Sequence, residues 1–88
     1  MGDSSLISYV ARGQRRLELL ELLNERERSQ VELMKTTGMY KAHTSRALKE
    51  LIEKKLIVCK NPGDRVFKFY KITKKGKDVL KEAKKLIL

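Results

Sequence analysis

Leu17, Leu19, Leu20, Leu22 and Leu23 recur at helical spacing between Gly13 and Asn24, interleaved with Glu18, Glu21 and Glu25. That period predicts an amphipathic helix. Upstream, Leu6, Ile7, Tyr9 and Val10 form a short apolar segment that predicts helix from about Ser5, either as a separate turn or running on through Gly13. Ser29-Gln30-Val31-Glu32 has the form of a capping box, in which the serine side chain accepts from the backbone three residues on and the glutamate reaches back. A second helix, carrying Leu33 and Met34, starts there and stops at Thr37-Gly38, because glycine takes the left-handed conformation that ends a helix. From Tyr40 to about Lys54 there is no Gly or Pro, and Thr44, Ala47, Leu48, Leu51 and Ile52 fall on one helical face. This predicts a third helix.

Beyond it the period changes. Leu56 to Lys60 is apolar and β-branched, Asn61-Pro62-Gly63-Asp64 is a strong turn, and Val66 to Thr73 is rich in Phe, Tyr, Val and Ile, which together predict a β-hairpin. Alternation puts Val66, Tyr70 and Ile72 on one face and Phe67 and Phe69 on the other, and leaves open which face is buried. Thr73 can cap a last helix over 74–88, whose stripe of Val79, Leu80, Ala83, Leu86 and Ile87 runs to the chain end opposite Lys74, Lys75, Lys77, Lys81, Lys84 and Lys85. The expected class is α+β, mainly α, in one domain over residues 1–88.

With 88 residues, 41% of them apolar and 36% charged, the chain has the composition of one small folded unit, with no room for a separate catalytic or effector domain. No apolar run approaches the roughly 18 residues of a membrane span. Nor does the N-terminus carry a secretory pattern, so a cytoplasmic location is expected. The single Cys59 cannot close an internal disulfide, and with the single His43 it leaves no cluster for a structural metal, so no cofactor or metal is expected.

Charge says more. The chain carries a net +10, and all of it lies from Tyr40 onward: six basic residues face six acidic ones through Met39, against fifteen and five in the remainder. A surface that must sit on a polyanion concentrates its charge in this way.

Three helices followed by a two-stranded hairpin is the winged helix-turn-helix arrangement, with a three-helix core, a hairpin wing and a C-terminal helix. The residues themselves extend the likeness. Tyr9-Val10-Ala11-Arg12-Gly13 with Arg16, then Gly38 and Ser45-Arg46-Ala47-Leu48-Lys49-Glu50-Leu51, then Tyr70-Lys71-Ile72-Thr73-Lys74-Lys75-Gly76, occur in the order and spacing of a known pattern. Over roughly residues 7 to 80 the chain resembles small archaeal winged-helix transcriptional regulators related to the MarR and ArsR groups. It departs from their pattern where Lys55 replaces a usual Gly, Met34 a small residue and Thr44 a bulkier aliphatic. The third helix lacks the cysteine pair of arsenic-type repressors, so metal sensing of that kind is not expected.

The resemblance implies binding to double-stranded DNA by a transcriptional regulator. In a helix-turn-helix the start of the second helix enters the major groove, where base edges are distinguishable, so Tyr40, Lys41, Ala42, His43, Ser45, Arg46 and Lys49 are expected to face DNA. Arg46 is the candidate for bidentate pairing with guanine, against a phosphate contact or a salt bridge to Glu50 or Glu53. Lys41 and Lys49 suit phosphate. His43 can donate to DNA, make binding pH-sensitive or be an ordinary exposed histidine, and Tyr40 can bond phosphate or pack on the turn. In the wing, Asn61, Gly63 and Arg65 form the tip, with Arg65 suited to a narrow minor groove and Lys60 and Lys68 to the backbone.

The stripe of Val79, Leu80, Ala83, Leu86 and Ile87 can be core, one face of a membrane-surface amphipath or a dimerisation element. A homodimer through it is expected, with Leu6, Ile7 and Val10 as further candidates and no membrane partner. Two other classes stand beside this reading. One is a winged helix used as a protein-interaction module, which would depend on an apolar patch around Phe67 and Phe69. The other is non-specific, chromatin-like or RNA binding. Catalysis is not expected, since there is no second histidine, no Cys/His pair and no phosphate loop, and nothing in the chain indicates a small-molecule effector.

Overall fold

The computed structural model describes residues 4–87. The expected N-terminal helical region is two helices, α1 (Ser4–Arg12) and α2 (Gln14–Glu25). Gly13 separates them, donating to the Val10 carbonyl at 3.2 Å and accepting from the Leu17 N–H at 2.9 Å. Then follow β1 (Arg28–Ser29), α3 (Gln30–Thr37), α4 (Lys41–Glu53), β2 (Ile57–Cys59), β3 (Phe69–Ile72) and α5 (Lys74–Ile87). The result is mainly helical with a small antiparallel sheet, the winged helix-turn-helix arrangement that the patterning predicts. The N-terminal residues 1–3 and Leu88, the expected last residue of the final helix, lie outside the described residues. No helix among the described residues is long and apolar enough to cross a membrane.

The sheet order is β1-β3-β2, so the hairpin gains a third strand that the sequence pattern does not announce. β1 is only two residues long, pairing Arg28 with Tyr70 and Ser29 with Phe69, too short for any alternation to register. Arg28 is nearly buried there. It donates through Nε to the Leu22 carbonyl at 2.9 Å and pairs with Glu25 at 2.6 Å, which meets the need of a charge removed from water.

The hairpin faces are now resolved. Tyr70 and Ile72 point into the core with Ile57, while Phe69 is 38% exposed on the outer face. Ladder pairing stops at Cys59 and Tyr70, so β3 begins at Phe69 and not at the expected Val66. Side chains of the turn explain this, because Asn61 and Asp64 bond the backbone of residues 66, 67 and 69 and hold that stretch in a loop.

The capping box forms as predicted: Ser29 Oγ accepts from the Glu32 N–H at 3.1 Å and Glu32 accepts from the Ser29 N–H. Gly38, at φ 75°, ends α3. The end of α4 is a Schellman motif, with the Lys55 N–H on the Ile52 carbonyl at 2.9 Å and the Leu56 N–H on the Leu51 carbonyl at 3.0 Å. Lys55 sits at φ 63°, the left-handed region that glycine adopts without strain.

Leu56 then locks the start of α5. Its carbonyl accepts from the Thr73 N–H at 3.0 Å and from the Thr73 hydroxyl at 3.0 Å, while Thr73 Oγ1 accepts from the Gly76 N–H at 2.9 Å. A Cβ on Gly76 would lie 2.1 Å from the Leu56 carbonyl oxygen, so only glycine fits this approach. The Thr-x-x-Gly spacing of residues 73–76 is thereby accounted for.

One expectation is corrected. Val79, Leu80 and Ala83 are 4, 3 and 0% exposed and pack in the chain's own core, where α5 lies along α1 and its Leu6 and Val10. A short domain needs this stripe to close its own core, so these residues offer no free dimer surface. Leu86 and Ile87, at 61 and 52%, remain exposed. Ile52, expected on the buried face of α4, lies at its rim with 36% exposure.

Tyr9 ties α1 to α4. Its hydroxyl donates to Glu50 at 2.7 Å, and its ring lies between the Arg16 guanidinium at 3.8 Å and the Lys54 ammonium at 4.6 Å. Burial, and then the bond to Glu50, push the phenol up to about 12.

Three outcomes are expected. Gly76→Ala should lower unfolding stability in urea by about 1–3 kcal/mol or more, since backbone blocks the added methyl. Lys55→Gly should raise it by about 0.5–1 kcal/mol, because left-handed strain of about 1–2 kcal/mol is relieved and part is returned as glycine entropy. For Tyr9 the proton is held more tightly in the fold, so its contribution is complete below the ordinary phenol value of 10.0 and is lost as pH rises from there to about 12. Stability measured across that window should flatten in Tyr9→Phe, leaving the smaller fall due to Tyr70, whose phenol burial also raises.

Candidate nucleic-acid interface

α3 and α4 meet through Gly38, Met39 and Tyr40, and the left-handed glycine turns the chain sharply enough for α4 to cross α3. Thr44, Leu48 and Leu51 bury one face of α4. The buried Thr44 hydroxyl donates back to the Tyr40 carbonyl at 2.9 Å, so a polar residue sits at an aliphatic position without an unsatisfied group. Helical geometry then sends Lys41, Ala42, His43, Ser45, Arg46 and Lys49 to solvent, together with Tyr40 at 77% exposure.

These seven side chains form one surface, but they are not equally free. Ser45 Oγ accepts from Gln30 Nε2 at 2.7 Å, fastening α4 to the start of α3. The Tyr40 and His43 rings meet edge to face at 6.2 Å. Arg46 has no salt bridge among the described residues, although Glu50 lies one turn away on the same helix. Glu50 is engaged by the Tyr9 hydroxyl. Arg46 shares a shallow hollow with Arg15, Arg16, Met39, Tyr40 and His43. Arg15, which also donates to the Thr37 carbonyl at 3.2 Å, was not among the expected site residues. Its position off the apolar face of its helix is visible in the sequence, but not which element it meets.

In the wing, Lys60 pairs with Glu27 at 2.9 Å, and this bond holds the Glu27 carboxyl below its usual range. Asn61 is turned inward, donating to the Phe67 carbonyl and accepting from the Phe69 N–H at 2.8 Å. Both side chains therefore have partners within the fold, with Lys60 still exposed at the surface. Gly63 and Arg65 are exposed and Lys68 half-buried, and neither cation is ion-paired among the described residues. Arg65 and Lys68 share a second hollow with Lys41, which brings wing and helix start to one side of the molecule.

The charges are sorted by this fold. Every acidic residue described before Gly38 is salt-bridged: Glu18 to Arg15, Glu21 to Lys84, Glu25 to Arg28, Glu27 to Lys60 and Glu32 to Arg26. Lys41, Arg46, Lys49, Arg65 and Lys68 have no such partner among the described residues. Unpaired positive charge thus stands on α4 and the wing, and also along α5 at Lys74, Lys75, Lys77 and Lys81.

Known structures share this architecture. A cysteine-to-serine mutant of MarR from E. coli superposes with a TM-score of 0.77 at 21% identity, covering 97% of this chain and 66% of that one. The adhesin competence repressor AdcR from Streptococcus pyogenes gives 0.72 at 18% identity, covering 85% and 57%. ZitR from Lactococcus lactis, solved in complex with DNA, gives 0.70 at 25% identity, covering 81% and 49%. The chain therefore spans about half to two thirds of the length of these proteins. No curated protein sequence matches it. The family model described as winged helix-turn-helix matches residues 14–88. On that match and on its helix-turn-helix, wing and closing helix, the chain belongs to the winged helix-turn-helix family.

Proposed function

We propose that the protein is a sequence-specific double-stranded DNA-binding transcriptional regulator that sets α4 in the major groove and the wing on the adjacent minor groove or backbone. The observation that carries this reading is that Lys41 at the start of α4 and Arg65 and Lys68 of the wing line one hollow without a salt bridge among the described residues, with Arg46 and Lys49 exposed and likewise unpaired on the same helix. Counterion release on contact with phosphate rewards such a surface, whereas a solvated face gains nothing from leaving its charges unmatched. The crystal structures of ZitR with DNA and of MarR with operator DNA support it, since their folds resemble this one.

Roles follow from geometry. Arg46, exposed at mid-helix with its nearest acidic neighbour engaged elsewhere, is the base-reading residue, best suited to the two acceptors of guanine. Lys41, Lys49, Lys68 and Tyr40 hold phosphate, with His43 and Ala42 against the groove wall. Ser45 fixes the tilt of α4 through Gln30 and keeps a hydroxyl hydrogen to offer. Arg65 reaches the minor groove beside Gly63.

Leu86 and Ile87, exposed at the end of α5, support a homodimer joined there. Its recognition helices would lie about 34 Å apart, matching a palindromic site. The reading places the protein in the cytoplasm and gives it no catalytic step.

Fluorescence anisotropy against duplex DNA over a salt series tests it. Log affinity should fall with log salt by about 0.9 per phosphate neutralised. Arg46→Ala should cost about 1–3 kcal/mol on the preferred sequence and relax the choice at one base pair, while Lys49→Ala weakens all sequences alike and lowers the slope by about one. A slope near zero in the unaltered protein would overturn the proposal.

A further inference from the structure

Val66 and Phe67 are the most exposed apolar side chains of the wing, at 73 and 61%. The alternation of the sequence would have paired them in a strand, yet they stand in a loop. That loop is not slack. Asp64 accepts from the Val66 N–H at 2.8 Å and the Phe67 N–H at 2.9 Å, and Asn61 holds the Phe67 carbonyl and, at 2.8 Å, the Phe69 N–H. Four bonds from two side chains thus fix the backbone on both sides of the apolar pair, with its ordering entropy already lost before any partner arrives.

The surroundings identify the partner. Val66 and Phe67 share their hollow with Val31 and with Lys41, Arg65 and Lys68. None of the three cations is ion-paired among the described residues. Lys41 is the first residue of α4, so this apolar pair lies on the side that carries the recognition helix. An exposed apolar pair beside three unpaired cations, in a hollow closed on its other side by Gln30, Val31 and Met34, suits a polyanion whose interior is apolar, which is a base stack behind two rows of phosphates. A partner protein that buried this tip would instead have to desolvate three unmatched charges.

We infer that the Val66–Phe67 tip is an apolar wedge that enters the minor groove, unstacks one base step and bends the duplex. This rests on the DNA reading proposed above and adds to it a mode of recognition by deformation. Arg65 lies in the minor groove beside the wedge and Lys68 holds the adjoining phosphates, and Asn61 and Asp64 keep its backbone from folding away. Steps that unstack easily, such as TpA and CpA, are favoured targets, since the deformation costs least there.

The test uses the full chain and a duplex of about 30 base pairs with fluorophores at its ends and 2-aminopurine beside a central TpA step. Binding should shorten the end-to-end distance by an amount matching a kink of roughly 20 to 90 degrees and should raise the 2-aminopurine emission. The double variant Val66→Ala with Phe67→Ala should keep its affinity for the same duplex within about threefold and its salt slope, because its phosphate contacts remain. It should lose most of both signals and the preference for TpA over GpC. Its melting temperature should stay unchanged, as both side chains lie outside the core. Binding by the unaltered protein without bending, or equal bending by the variant, would overturn the wedge and leave DNA binding standing. No salt-dependent binding by either would overturn both.

Discussion

The backbone of Leu56 is the point on which the other elements depend. Its N–H closes the Schellman motif that ends α4, its carbonyl receives both the N–H and the hydroxyl of Thr73, and Gly76 packs against that same carbonyl. One residue therefore fixes where the recognition helix stops, where the hairpin begins and where α5 starts. Its side chain is fully buried with Leu51 and Ile57, so the bonds lie in an environment that water does not enter. Hydrogen bonds there are electrostatically strong, and each would be costly to leave unmade. Lys55, held in a left-handed conformation beside this joint, shows how firmly the surroundings dictate the backbone.

From that joint the helices are held in a fixed relation by few contacts of high specificity. Tyr9 links α1 to α4 through Glu50, and Gln30 links α3 to α4 through Ser45. Both bonds reach the recognition helix from a different element, and both meet residues flanking Arg46. The orientation of the exposed face of α4 is thus set by side chains on the rest of the domain. Glu50, four residues on from Arg46, accepts from the tyrosine hydroxyl and makes no salt bridge with Arg46, and Arg before Glu is the weaker order for such a pair on a helix.

The same economy governs charge. A net +10 on so small a chain repels itself, and the fold answers by pairing the acids of the first half with cations, two of them drawn from β2's end and α5. Among the cations left without a salt bridge are Lys41, Arg46 and Lys49 on α4, Arg65 and Lys68 on the wing, and Lys74, Lys75, Lys77 and Lys81 on α5. A sequence count assigns the excess to the second half of the chain, but Lys60, Lys84 and Lys85 belong to that half and are spoken for.

The amino-acid sequence by itself determined the elements and their order. Each depends on neighbours near in the chain: the leucine period of α2, the capping box at Ser29, the left-handed Gly38, the Asn61–Asp64 turn and the threonine before α5 are all local, and all appear where their residues stand. The exposed face of α4 was legible for the same reason, since three buried positions at helical spacing leave the others outside. Only tertiary structure decided what is shared between distant residues. The two-residue β1 has no period to read and exists because β3 offers it an edge. The stripe of Val79, Leu80 and Ala83 looks the same whether it covers its own core or a second copy, and only the docking of α1 settles it. The partners of Lys60 and Asn61, Glu27 and the loop backbone, were likewise decided only by the fold, because a hydrogen-bond partner is fixed by position in space and not by position in the chain.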